Sequence, residues 1–289
     1  MKKRIFILGL ALLSLIMVMA VSQQSSAQIN ELYVFGDSLS DVGNMFRATG
    51  GTYPPNPPYF KGRYSNGLVW VEYLASSLEA ASSPENNFAF GGATTGSNSM
   101  NGVPGLLTQV DSFTKANRKI NPNGLFLVWA GANDYLYGAS NPTQSIENLS
   151  RAIESLSKLG AKKIMVANLP DLGKIPATSN TSSSSLLSFV AKASNQTLAK
   201  SLDFLSKKLD SHTQIIALDV YSLYNEAFRE PSKFGFINVT SACFNNITTC
   251  DLQDKFLFWD GIHPTTAAHR VLAEAALKAL KAPSLNPTI

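Results

Sequence analysis

Cysteine and histidine are scarce in this chain, two and three among 289 residues. Cys243 and Cys250 have no His cluster beside them, so they do not make a zinc site. Neither H-E-x-x-H nor a P-loop occurs, which removes zinc proteolysis and nucleotide hydrolysis as motif-based readings. A serine elbow of the G-x-S-x-G type is missing too. The segment Gly92-Ala93-Thr94-Thr95-Gly96 has that spacing but Thr at its centre, so this route lacks a nucleophile. No internal repeat or second domain boundary is visible, and the length suits one α/β domain with a sizeable core.

Charge is equally sparse. The formal net charge of +4 comes mostly from the first 27 residues, which hold three of the 24 Lys+Arg and none of the 20 Asp+Glu. The remainder carries 21 basic and 20 acidic residues, a net charge of +1 with no basic stripe to serve nucleic acid. Residues 1–27 read as a secretory signal peptide: Lys2-Lys3-Arg4, an apolar run from Ile5 to about Val21, then the small residues Ser25-Ser26-Ala27. A retained membrane anchor is the competing reading, because the run approaches the roughly 18 residues of a spanning helix. The expected domain is 28–289, exported to the periplasm or the medium. In such an oxidising compartment Cys243 and Cys250, seven apart, are expected to pair, with two free thiols as the alternative.

Short aliphatic and aromatic runs without clear alternation, at Leu32–Phe35, Asn87–Phe90, Leu125–Trp129, Lys163–Ala167 and Gln214–Val220, read as strands buried on both faces. Helical spacing of apolar residues falls between them, at Val69–Leu78, Gly105–Ala116, Thr143–Leu159, Ser185–Leu209 and Thr265–Leu280. Alternating strands and helices predict a doubly wound parallel sheet whose ligand crevice lies beyond the carboxyl ends of the strands. The segment Tyr53–Tyr64 (YPPNPPYFKGRY) is too broken by Pro for a helix. It reads as a pocket wall or as a rigid surface connection.

The first strand runs into Gly36-Asp37-Ser38, so Ser38 follows a turn-permitting glycine at the crevice end of the strand. Near the other end of the chain stands Asp260-Gly261-Ile262-His263-Pro264. Pro264 biases His263 toward an extended conformation and suits the first turn of the last helix. Asp260, three residues earlier across a glycine turn, can hold one ring nitrogen and leave the other to take a proton from Ser38. Of the remaining histidines, His212 sits in a solvated connection and His269 on the last helix as packing or surface. Acyl transfer also needs donors for the carbonyl oxygen. The backbone at Gly91-Gly92 and the side chain of Asn133 follow two of the strands and are candidates, each equally readable as a turn residue.

Four segments, FGDSLSDVGN (35–44), NFAFGGATTG (87–96), GANDY (131–135) and DGIHP (260–264), resemble the four blocks of the GDSL or SGNH hydrolase family, in the family's order. The resemblance implies Ser38 as nucleophile and Asp260 and His263 as its partners. It implies an oxyanion hole of the Ser38 and Gly92 backbone N–H groups with the Asn133 amide. It also implies a three-layer α/β/α sandwich with a flavodoxin-like parallel sheet of about five strands, and no metal or organic cofactor. GRYSNGLVWVEYLA (62–75) looks like the lipase and phospholipase-like branch.

A monomeric esterase acting on small-molecule or lipid esters, with transient contact to a membrane surface, is the expectation. Tyr53, Tyr59, Phe60 and Tyr64 are expected to line an apolar acyl groove. The rivals are a carbohydrate acetyl esterase and a binding module on an inactive hydrolase scaffold.

Overall fold

A computed structural model describes residues 28–98, 102–116 and 120–282. The expected leader, 1–27, lies outside them. Among the described residues no helix is long and apolar enough to cross a membrane.

Four parallel strands form the central sheet in the order β1 (Glu31–Gly36), β2 (Gly124–Trp129), β3 (Lys163–Ala167), β4 (Gln214–Leu218). Their lack of alternation has a direct cause: each strand is covered on both faces. Leu32, Val34, Leu125, Leu127, Met165 and Ile216 point to one side, and Tyr33, Phe35, Phe126, Val128, Ile164 and Ile215 to the other. With helices against both faces, the sheet is the middle of three layers.

The short helix α1 (Asn44–Ala48) follows the Ser38 turn. The first face is covered by α2 (Trp70–Leu78), α7 (Val220–Arg229) and α8 (Thr266–Lys281). The second is covered by α3 (Leu106–Lys115), α5 (Thr143–Lys158) and α6 (Ser184–Lys208). A further short helix, α4 (Ala132–Leu136), opens directly beyond β2. Aromatic rings knit the second face, with Phe113 between 5.4 and 5.9 Å from Tyr33, Phe35, Phe88 and Phe126. Such pairs add about 0.5–1.5 kcal/mol each beyond the area they bury.

The sheet has four regular strands where about five are expected. The segment 87–90 runs along the free edge of β1, donating from Phe88 N–H to Val34 O (2.7 Å) and from Phe90 N–H to Gly36 O (3.1 Å), without becoming a regular strand. The Asn87 side chain takes the outward Ala89 N–H and donates to Ser40 O, which leaves that side of the segment turned to the Ser38 loop and not to another strand. Counted as a second strand, this edge gives the order 2-1-3-4-5 of flavodoxin-like sheets, whose switch point lies between β1 and β2. The Ser38 loop and the Asn133 helix both leave the sheet there.

Helix α7 is absent from the sequence reading, which carried the preceding strand on to Val220. Asp219 ends that strand by capping the helix, accepting the Ser222 N–H at 3.0 Å. A second, two-stranded parallel pair, β5 (Asn238–Ala242) with β6 (Phe256–Phe258), delivers the chain to Asp260. Cys243 and Cys250 close the loop between these strands as a disulfide, S–S 1.99 Å.

Candidate active site

The Ser38 turn depends on close backbone packing. A Cβ on Gly36 would stand 2.1 Å from Trp129 O, so only glycine lets β1 and β2 end this near each other. The Gly36 peptide is held by one side chain, Gln109, which accepts its N–H and donates to its C=O, both at 2.9 Å. Asp37 then makes an Asx-turn, its Oδ1 accepting the Leu39 N–H at 3.0 Å, and this presents Ser38 above the strand. Beyond it, Ser40 Oγ accepts the Trp70 indole N–H at 3.0 Å.

Asp260 and His263 form the opposite wall. The Asp260 Oδ1 accepts the Ile262 and His263 N–H groups at 2.8 and 2.7 Å, and the Trp259 N–H closes the turn onto His263 O at 2.7 Å. Pro264 precedes the helix instead of opening it, because Thr265 is the N-cap, with its hydroxyl accepting the Ala268 N–H. The result is a continuous hydrogen-bonded line. Asp260 Oδ2 lies 2.7 Å from His263 Nδ1, and His263 Nε2 lies 2.9 Å from Ser38 Oγ. Ser38 and Asp260 are buried, 7% and 8% exposed. Burial alone would raise the Asp260 carboxyl, but the charge of His263, its hydrogen bonds and the Tyr59 hydroxyl bring it down to about 2. It is therefore a carboxylate at any working pH.

Three groups of the quoted blocks keep a hydrogen to donate. Among the described residues the N–H groups of Ser38 and Gly92 have no protein acceptor. Gly92 has φ +82°, a left-handed conformation that favours glycine, and a Cβ there would stand 3.2 Å from Tyr137 Oη. Asn133, in the first turn of α4, gives one amide hydrogen to Ala93 O at 2.9 Å and keeps the other.

Residues 32–276 match the family model GDSL-like Lipase/Acylhydrolase. The chain belongs to this family. Ester hydrolysis is therefore its class of reaction. It is 31% identical over 271 residues to the thermolabile hemolysin of Vibrio parahaemolyticus, covering 87% of this chain and 64% of that protein, just under two thirds of its length. It is 27% identical over 323 residues to the phosphatidylcholine-sterol acyltransferase of Aeromonas hydrophila, covering 92% and 94%. In fold it resembles a lipolytic G-D-S-L family protein of Veillonella parvula, with TM-score 0.51 at 18% identity over 86% and 96% of the two chains.

The GDSL hydrolase blocks are tied to one another by residues to which sequence reasoning assigned no role. Asp41, fully buried, accepts N–H groups from Gly43, Asn44 and Met45, and from Gly91 at 2.9 Å, so it fixes the Gly92 turn. Asn44 reaches the same segment, donating to Asn87 O and Ala89 O at 2.8 Å. Asp134 accepts both the backbone and the hydroxyl of Thr95, joining GANDY to GGATTG. All three polar residues lie inside the quoted blocks, which was the available signal.

Within the loop 53–64, Tyr59 and Tyr64 turn toward the Asp260 and His263 side chains. The Tyr59 hydroxyl donates to Asp260 Oδ2 at 2.7 Å, and the buried Tyr64 ring packs 5.0 Å from His263. A Cβ on Gly91 would fall 2.1 Å from Tyr64 Oη, so Gly91 is the bed on which that ring lies. Tyr53 remains 54% exposed. The other histidines stay apart: His212 is exposed beside Asp210, while His269 is fully buried and accepts the Trp70 N–H on Nδ1. Burial drives His269 down to about 3, so it stays neutral.

Proposed function

We propose that this GDSL hydrolase cleaves carboxylic esters through an acyl intermediate on Ser38. The observation that carries the reading is the line from Asp260 through His263 to Ser38, at 2.7 and 2.9 Å. His263 Nε2 takes the Ser38 proton as Oγ attacks the ester carbonyl. The N–H groups of Ser38 and Gly92 and the free amide hydrogen of Asn133 receive the developing oxyanion. Collapse expels the alcohol, which leaves with the proton from Nε2. Water then attacks the acyl-serine with His263 as base, releasing the acid and restoring Ser38.

A lipid ester is the proposed substrate class. In support, a trough of about 570 Å³ is lined by Pro57, Pro58, Phe244 and Ile247, with Asn246, Thr248 and Thr249 as its polar part. Phe244 stands edge-on to Tyr59 at 5.9 Å, and Ile247 on the rim is 88% exposed, an apolar margin suited to transient contact with a lipid surface. The name of the phosphatidylcholine-sterol acyltransferase agrees with this class and adds an alcohol to water as an acyl acceptor. We further propose that residues 1–27 are a leader and that 28–289 act as a monomer outside the cytoplasm. The charge pattern of the leader and the disulfide support export.

The test is hydrolysis of p-nitrophenyl esters from acetate to palmitate by the chain from residue 28 onward, beside Ser38→Ala. Activity that rises with acyl length and is lost in the variant is expected. Activity persisting in Ser38→Ala refutes the mechanism, and activity confined to acetate moves the substrate to acetylated carbohydrate.

A further inference from the structure

We propose that Tyr59 is a positioning residue for this site, locking the Asp260 carboxylate in the plane from which it orients His263; the inference rests on the acyl-serine reading above. A carboxylate has about four acceptor positions on two oxygens. In Asp260 all four are used: Oδ1 takes the two backbone N–H groups of its own turn, and Oδ2 takes His263 Nδ1 and the Tyr59 hydroxyl. The turn is local and the histidine is the group being oriented. Among the described residues Tyr59 is thus the one donor that reaches the carboxylate from elsewhere in the chain, 201 residues away.

Tyr59 is itself held in place. Its ring stands edge-on to Phe244 at 5.9 Å and to Tyr64 at 6.3 Å, its N–H donates to Pro55 O, and Phe60 N–H closes the loop onto Ser65 O. Phe244 in turn stacks on Trp259, the residue before Asp260, and donates its N–H to Trp259 O. Burial and the neighbouring Asp260 charge push the phenol well above its ordinary value, so it stays a donor throughout the working range. With Asp260 only 8% exposed, water has little access to replace a missing hydroxyl.

The experiment is Tyr59→Phe, which keeps the ring and its packing, measured alone and combined with Asp260→Asn. The readouts are kcat and KM across the p-nitrophenyl ester series and the rate of labelling by a fluorophosphonate. Expected is a loss of about tenfold in both kcat and labelling rate, equal for every acyl length, with KM unchanged. In the Asp260→Asn background the same substitution is expected to cost nothing further, because its route of action is gone. A wild-type rate in Tyr59→Phe, a KM that rises with acyl length, or an undiminished cost in the Asp260→Asn background each overturns the proposal. If the wild-type chain itself neither labels nor hydrolyses, the acyl-serine reading fails first and this one with it.

Discussion

Asp37 is a carboxylic acid buried directly beside Ser38, 2% exposed, whose Oδ1 accepts the Leu39 N–H. Burial raises it from 3.8 to about 7, against the opposing pull of that N–H and of His263. The sign of the consequence follows from linkage. Below about pH 4 the group is protonated in both folded and unfolded chains and costs nothing. Between about pH 4 and 7 the unfolded chain ionises first, so stability drains away as pH rises. At about 1.36 kcal/mol per unit, a gap from 3.8 to about 7 amounts to about 4 kcal/mol once ionisation is complete near pH 8. Asp37→Asn keeps an oxygen for the Leu39 N–H and removes the ionisation. The variant is therefore expected to match the wild type near pH 4 and to exceed it by between about 2 and 4 kcal/mol near pH 8, as measured by urea unfolding. Other groups that titrate in this window, the buried His269 among them, are common to both chains and cancel in the difference. A difference that stays flat to about 0.5 kcal/mol between the two pH values refutes the argument, because it means Asp37 ionises in the folded chain as readily as in water.

Asp260→Asn is expected to lower kcat by about 10⁴ with KM little changed, since the amide donates to His263 Nδ1 and forces the tautomer that cannot accept the Ser38 proton; an ester assay losing less than about tenfold rejects that role. Replacing Cys243 and Cys250 together by Ser opens a loop with a sequence separation of seven, which chain entropy values at about 2.5 kcal/mol; urea unfolding with and without reductant measures it, and no difference between wild type and variant rejects it.

How legible the site was depended on the range of each interaction. Ser38, Asp260, His263, Gly92 and Asn133 stand in short blocks, because a turn at a strand end or an Asp-x-x-His turn is a local structure with a local signature. The structure joins Asp260, His263 and Ser38 in one hydrogen-bonded line and ties Asn133 to Ala93, the residue after Gly92. Tyr59 was legible only as one aromatic in a proline-rich loop: its partner is 201 residues away, and no local pattern announces a hydrogen bond of that range. The sheet was readable from its doubly buried strands. The edge at 87–90 pairs with β1 through Phe88 and Phe90, too few bonds for a regular strand. Helix α7 was hidden because its cap, Asp219, directly follows the apolar strand and Val220 extends the same run.

Ser38 and His263, the nucleophile and base proposed above, come from opposite ends of the domain, one after the first strand and the other before the last helix, so closure of the whole fold sets their 2.9 Å separation. The contacts that set it lie where α2 meets α8. Trp70 gives its N–H to His269 and its indole to Ser40, two residues beyond the nucleophile. Ser65 donates to Pro264 O, Asn66 accepts the Thr266 N–H, and Tyr73 shares a hydrogen bond with Thr266. These residues lie in the stretch 62–75, the one that looks like the lipase branch of the family. Its position gives that likeness a physical basis: the stretch ties the Ser38 loop to the His263 turn, while Tyr64 within it packs on both His263 and Gly91. Changes along this seam act on the distance between Ser38 and His263, whereas changes around the trough lined by Pro57 and Ile247 act on what is bound. Loss of kcat should therefore track the first set of residues and loss of acyl-length preference the second.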